Sequence, residues 1–159
     1  MNTVILQRAD VSDCNAVLQM QKESFAALLA RYRDDAINPA NETAAQVMRR
    51  LMQPETYYYF ITVNGERTGA IRIVDAKNGS RKRISPLFIL PQYRNRGYAQ
   101  AAIREAERIH GAENWELTTI MQEPGNCHLY EKMGYRRTGV PQIINERMTL
   151  VHYEKDDPA

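Results

Sequence analysis

Arg94-Asn95-Arg96-Gly97-Tyr98-Ala99 is the stretch whose residue types and spacing most directly suggest chemistry. It follows an apolar, strand-like run at residues 84–90 and precedes a helical run at residues 100–110. A strand, a short loop bent at a glycine and a helix start bring exposed backbone N–H groups together with the positive end of the helix dipole, which makes an anion site. Gly97 lets the backbone pass close to phosphate oxygens, Ala99 keeps the next turn small, and Arg94 and Arg96 add positive charge at the rim. The ligand that suits such a loop is phosphorylated. An ordinary strand-to-helix turn with exposed arginines has the same composition, so the loop alone leaves both readings open.

Its position excludes the common nucleotide loops. A dinucleotide fold places G-x-G-x-x-G after its first strand with an acidic residue about 20 positions on; this loop has one glycine and follows the fourth strand-like run. The Walker pattern G-x-x-x-x-G-K-[ST] is absent. Other reactive side chains are less telling. Cys127 lacks a suitably placed histidine and reads as a small buried thiol rather than a nucleophile. His110 and His152 look peripheral, and His128 faces solvent or the rim of the site.

The elements that must position these residues follow from periodicity and punctuation. Residues 4–8 read as a first strand. Asp10 and Asp13 suit a helix N-terminus by capping and by charge. Cys14, Val17, Leu18, Phe25, Leu28, Leu29 and Tyr32 then recur at helical spacing. Residues 34–41, with Pro39 and two asparagines, read as a loop, and Thr43 with Gln46 forms the pattern of a capping box. The second helix runs to Gln53 and stops at Pro54. Asn64-Gly65 between the runs 57–63 and 68–74 is a strong hairpin signal, because this dipeptide tolerates positive φ. A fourth strand precedes Arg94. In the helix after it, Tyr98, Ala102, Ala106 and Ile109 make an apolar stripe. Residues 115–121 form a fifth strand, Glu123-Pro124-Gly125 breaks the chain, and residues 128–132 form a short helix closed by Gly134. Two strands, 135–140 and 147–154, and a polar tail, 155–159, complete the chain. The order predicts an α/β fold with a mixed, largely antiparallel sheet and helices on both faces. With no repeat or linker, the simplest organisation is one domain over residues 1–159.

Bulk properties narrow the function classes. The formal net charge is +2 with both signs interspersed, which argues against binding nucleic acid by bulk electrostatics. The two cysteines are far apart and no C-x-x-C pair exists, so neither a disulfide framework nor a metal site is expected. No run approaches the roughly 18 apolar residues of a membrane span, and the start Met1-Asn2-Thr3-Val4 lacks the pattern of a leader; a cytoplasmic location is the expectation.

A second block, Asn126-Cys127-His128-Leu129-Tyr130-Glu131-Lys132-Met133-Gly134-Tyr135, gives the loop its meaning. Together the two blocks resemble the GCN5-related N-acetyltransferase (GNAT) superfamily, where [QR]-x-x-G-x-[GA] ends the fourth strand and N-x-x-x-x-Y-x-x-x-G-[FY] lies downstream. Three residues rather than four separate Asn126 from Tyr130, a spacing also found in that family. The resemblance implies a six- to seven-stranded sheet whose fourth and fifth strands splay apart, and acetyl-CoA as cosubstrate. It implies that the loop holding Arg94, Asn95, Arg96, Gly97, Tyr98 and Ala99 binds the pyrophosphate. The pantetheine amides would pair with the edge at Leu87, Phe88 and Ile89, and Asn126 would lie near them. It further implies direct transfer of acetyl to an amine, with the Ile89 N–H stabilising the oxyanion and Tyr130 protonating the coenzyme A thiolate.

The proton acceptor stays open among Glu123, just beyond the fifth strand, and Glu42 and Asp35 between the first helices; all three also read as solvated charge, and a water chain would serve equally. A small-molecule amine or amino-acid-like acceptor is the expectation, with residues 30–41 and 57–59 as walls, although Arg31, Arg33, Arg49 and Arg50 weaken the case for a cationic one. Family members often pair through C-terminal strands, so a homodimer is a further expectation. The competing function is a non-catalytic acyl-CoA-binding sensor or interaction module on the same fold, which would not need Tyr130.

Overall fold

A computed structural model describes residues 3–157. Its centre is a seven-stranded sheet in the order β1-β2-β3-β4-β5-β7-β6. The strands are β1 (Val4–Arg8), β2 (Thr56–Val63), β3 (Glu66–Val74), β4 (Lys82–Ile89), β5 (Trp115–Ile120), β6 (Arg136–Ile143) and β7 (Thr149–Lys155). Four α-helices accompany them among the described residues: α1 (Cys14–Tyr32), α2 (Ala44–Met52), α3 (Tyr98–His110) and α4 (Pro124–Lys132). All neighbouring strands are antiparallel except β4 and β5, which are parallel.

Local chemistry accounts for most boundaries. Asp10 Oδ1 accepts from the Ser12 N–H at 2.8 Å, and Asp13 returns a bond to the Asp10 N–H at 3.0 Å; this capping box opens a short 3-10 turn that leads into α1. Thr43 and Gln46 make the second capping box, at α2. Asn64 and Gly65 both take positive φ, as a tight hairpin between β2 and β3 requires. Gly69 has a different reason to be glycine: a Cβ there would lie 2.1 Å from the Phe88 carbonyl oxygen, so any larger residue would push β3 away from β4.

Two apolar layers hold the sheet. On one face Ile61, Ile71, Ile73, Ile103, Trp115, Leu117 and Tyr153 pack with α3 and α4. On the other, Val17, Val47, Tyr58, Phe60, Ala70 and Phe88 pack with α1 and α2. Three sequence expectations are corrected. Glu123-Pro124-Gly125 does not break the chain before a short helix; α4 starts at Pro124, where the missing proline N–H costs nothing. The last hairpin is longer than expected, with β6 reaching Ile143. The polar tail starts after Lys155, which is buried on β7 with Nζ held by Glu107 at 2.8 and 2.9 Å; its last residues, Pro158 and Ala159, lie outside the described residues.

Candidate active site

The parallel pair β4–β5 is joined at only two positions, Lys82 with Trp115 and Arg83 with Glu116. Beyond them the strands part, and one edge of β4 is left without a strand partner. Which groups line that edge follows from alternation. The Leu90 N–H donates to the Thr68 carbonyl at 2.8 Å, toward β3. Phe88, two residues earlier, faces the same way, so Leu87 and Ile89 turn their backbone N–H and C=O groups toward the gap. The Ile89 carbonyl is occupied there, accepting from Arg94 Nε at 2.8 Å and from Ser24 Oγ at 3.3 Å.

The loop after β4 leads to the N-terminus of α3. Asn95 has φ +63° and Gly97 φ +79°. A Cβ on Gly97 would meet nothing within 4 Å, so the position demands glycine for its backbone angle rather than for space. Gly97 caps α3 without a side-chain bond, and the first turn contains no acidic residue. The N–H groups that a helix leaves unsatisfied at its start are therefore not met by a capping side chain, and no carboxylate opposes an anion. Arg94 is less of a rim charge than its sequence position suggests, because its guanidinium also reaches the carbonyl and hydroxyl of Ser24, at 3.0 and 3.2 Å, and fastens the loop to α1. Arg96 stays exposed, with one bond to the Gln92 carbonyl at 3.3 Å. Tyr98 and Ala99 pack into the core layer below α3.

Helix α4 carries the second block. Asn126 is exposed in its first turn. Tyr130 is buried among Tyr135 and Tyr153, with ring centroids 6.0 and 6.3 Å away. Burial, reinforced by Cys127, pushes its phenol far above its ordinary value, so the group stays protonated throughout the neutral range. Leu87 packs against the same apolar layer.

Glu123 precedes α4 and meets the end of α1. Arg31 Nη1 donates to Glu123 Oε2 at 2.9 Å, and the Tyr32 hydroxyl donates a short bond to the same oxygen. Burial and this carboxylate together raise the Tyr32 phenol. Asn145, in the loop between β6 and β7, donates to the Tyr32 carbonyl at 2.8 Å. Three distant segments thus converge beside the gap. Sequence reading placed Tyr32 in a wall but missed its bond to Glu123, because nothing local links positions 91 residues apart.

The other candidate bases lie elsewhere. Glu42 is tied to Gln21 Nε2 at 3.0 Å and Arg50 Nε at 2.7 Å, and Asp35 is exposed in the loop after α1. Cys127 is buried and His128 exposed. His110 turns inward rather than outward: Nδ1 lies 2.8 Å from Asp75 Oδ2 and Nε2 lies 2.9 Å from the Tyr59 hydroxyl, beside a hollow of about 380 Å³. Desolvation lowers its proton affinity and Asp75 works against that. No helix among the described residues is long and apolar enough to cross a membrane.

Comparison with known proteins agrees with this geometry. The acetyltransferase (GNAT) domain model matches residues 28–156. No curated relative matches the sequence. Among solved structures, an acetyltransferase from Thermus thermophilus is similar at 17% identity over 96% of this chain and 97% of that one, with TM-score 0.71. The PaiA N-acetyltransferase from Thermoplasma acidophilum, in complex with coenzyme A, is similar at 12% identity over 96% and 99%, with TM-score 0.74. Spermidine N-acetyltransferase from Vibrio cholerae, in complex with CoA and spermine, is similar at 14% identity over 95% and 94%, with TM-score 0.72. The family match over most of the sequence, together with the parted β4–β5 pair, leads to one conclusion: the chain belongs to the GNAT acetyltransferase family.

Proposed function

We propose that this protein transfers an acetyl group from acetyl-CoA to the primary amine of a small-molecule or amino-acid-like acceptor. The observation that carries the proposal is the open edge of β4, ending at an uncapped helix N-terminus. The N–H groups at the start of α3 suit a pyrophosphate. The edge at Leu87 and Ile89 suits the amides of a pantetheine arm, which would add to the sheet as a further strand does. The Ile89 N–H is aimed to stabilise negative charge on the thioester oxygen. Asn126 adds a polar contact near that arm. Tyr130, kept protonated by burial, supplies a proton to the departing sulfur. Glu123 is the carboxylate at the mouth and takes the proton of the amine, directly or through water. Neighbours that bear polyamines in their names support an amine as acceptor.

A screen of amines with acetyl-CoA, read by thiol release, tests the activity. Thermal-shift measurements with acetyl-CoA, free coenzyme A and ATP test the ligand. Stabilisation by ATP and by neither form of coenzyme A would sink this reading.

A further inference from the structure

Arg72 is the least expected residue in the sheet. It sits on β3 opposite Tyr58, on the face covered by α1 and α2, and only 8% of it is exposed. A buried guanidinium normally has a carboxylate and a full set of acceptors. This one donates from Nη1 to the Ser85 carbonyl at 2.7 Å, while its buried Nε has no partner among the described residues. Nor does an ion pair with any described carboxylate offset its charge. Ser85 stands just beyond the last residue pair joining β4 to β5, so the group lies beside the parting of the sheet.

Arg72 forms part of a hollow of about 290 Å³ whose other walls are Gln46, in the first turn of α2, and Arg49, Arg50 and Gln53, in its last turn and just beyond it. Arg50 is partly neutralised by Glu42, at 2.7 Å; Arg49 has no acidic partner among the described residues. No acidic side chain is among the five lining residues. Basic residues near a helix C-terminus are favoured by the dipole, which is reason enough for Arg49 and Arg50 alone. The dipole does not explain a third arginine on another element, desolvated by burial and repelled by Arg50 and Arg83, with Glu42 near enough to offset part of that but not to pair with it. A bound anion would relieve that repulsion and satisfy the orphan donor.

We propose that the hollow between α2 and Arg72 is a binding site for a small oxyanion, a carboxylate or phosphate group. Arg72 binds it from the floor, Arg49 and Arg50 from the wall, and Gln46 and Gln53 supply neutral donors. The group belongs either to the acceptor or to a separate effector.

The test uses the full chain with saturating coenzyme A, so that the N-terminus of α3 is already filled; that arm rests on the acetyl-CoA reading, and failure of coenzyme A to bind sinks that reading and not this one. Calorimetry and thermal shift are then measured with inorganic phosphate and with succinate, against sodium chloride at equal ionic strength. Saturable binding of either probe beyond the chloride control, weakened about 5- to 10-fold in Arg49→Gln and abolished in Arg72→Met, is expected. Arg49 is exposed, so Arg49→Gln folds even if Arg72→Met does not. No saturable binding, or binding unaffected by Arg49→Gln, overturns the proposal. Source is read from kinetics with an amino acid and its decarboxylated amine. If the acceptor carries the anion, Arg49→Gln raises KM for the acid-bearing amine alone and leaves kcat. If an effector carries it, phosphate changes turnover of both amines in the native protein and of neither in Arg49→Gln. A kinetic response identical in native protein and variant overturns the proposal.

Discussion

The loop at residues 94–99 and the hollow under α2 are both suited to negative charge, yet they are made of different material. The loop works with backbone: two residues at positive φ and the first N–H groups of α3, with Arg94 turned inward as a fastening. The hollow works with side chains brought together from positions 46, 49, 50, 53 and 72. Main-chain donors are part of any helix start and need only the right turn before them. Side-chain donors must be gathered by the fold and, if buried, must be desolvated. One proposed anion site is thus generic in composition, and the other is particular to this sequence.

Substitutions can break that contrast. Gly97→Glu combines strain at φ +79° with a carboxylate at the helix N-terminus, so acetyl-CoA affinity should fall at least about 100-fold by calorimetry while the circular dichroism spectrum is kept. Unchanged affinity would remove the loop from the site. Lys155→Met strips Glu107 of its buried partner and should cost about 3 kcal/mol in urea unfolding. Loss of less than about 1 kcal/mol would mean that the pair is not desolvated. Tyr130→Phe should lower kcat about 10- to 100-fold, or about 1.4–2.7 kcal/mol in barrier, with coenzyme A affinity retained. A fully active variant would remove Tyr130 from the mechanism and favour a binding module.

Arg72→Met sharpens the contrast with Lys155. Arg72 has one hydrogen bond, to Ser85, to set against the cost of burying a charge without an ion pair, so its removal should shift the unfolding free energy by less than about 1 kcal/mol in the absence of an anion. A loss comparable to that of Lys155→Met would show that Arg72 is structural. The smallest effect concerns pH. Burial drags the Arg72 guanidinium down to about 10, still well above neutrality, so affinity for succinate, whose carboxylates stay ionised, should be flat from about pH 7 to 8.5 and fall as pH rises through about 10. Burial shifts Tyr130 upward, so it contributes no falling limb to the kcat profile in the neutral range. A falling limb near pH 8 that disappears in Tyr130→Phe would contradict its buried, protonated state.

What the sequence discloses follows the same division. Caps at Asp10 and Thr43, the turn at Asn64-Gly65 and the bend at Gly97 are local, because each depends on residues within three positions. The splayed pair was legible only through family resemblance, since neither β4 nor β5 carries a mark of where its partner leaves. Pro124 was misread because proline both ends and begins helices. His110, Lys155, the Tyr32–Glu123 bond and Arg72 were not legible at all. In each, a polar residue of ordinary local pattern is met by a group well removed in the chain, and only the folded protein shows that its charge or ring is buried.

Two residue pairs between β4 and β5 have a mechanical meaning as well. They divide the sheet into two leaves, β1 to β4 and β5 with β7 and β6, stitched at one corner. Arg81 rivets that corner, reaching the carbonyls of Trp115 and Lys155 at 3.3 and 3.5 Å and the carboxylates of Glu154 and Asp156. Beyond that corner no ladder bond among the described residues joins the leaves, and side chains tie their open end instead: Arg31 and Tyr32 of α1 hold Glu123, and Asn145 holds the Tyr32 carbonyl.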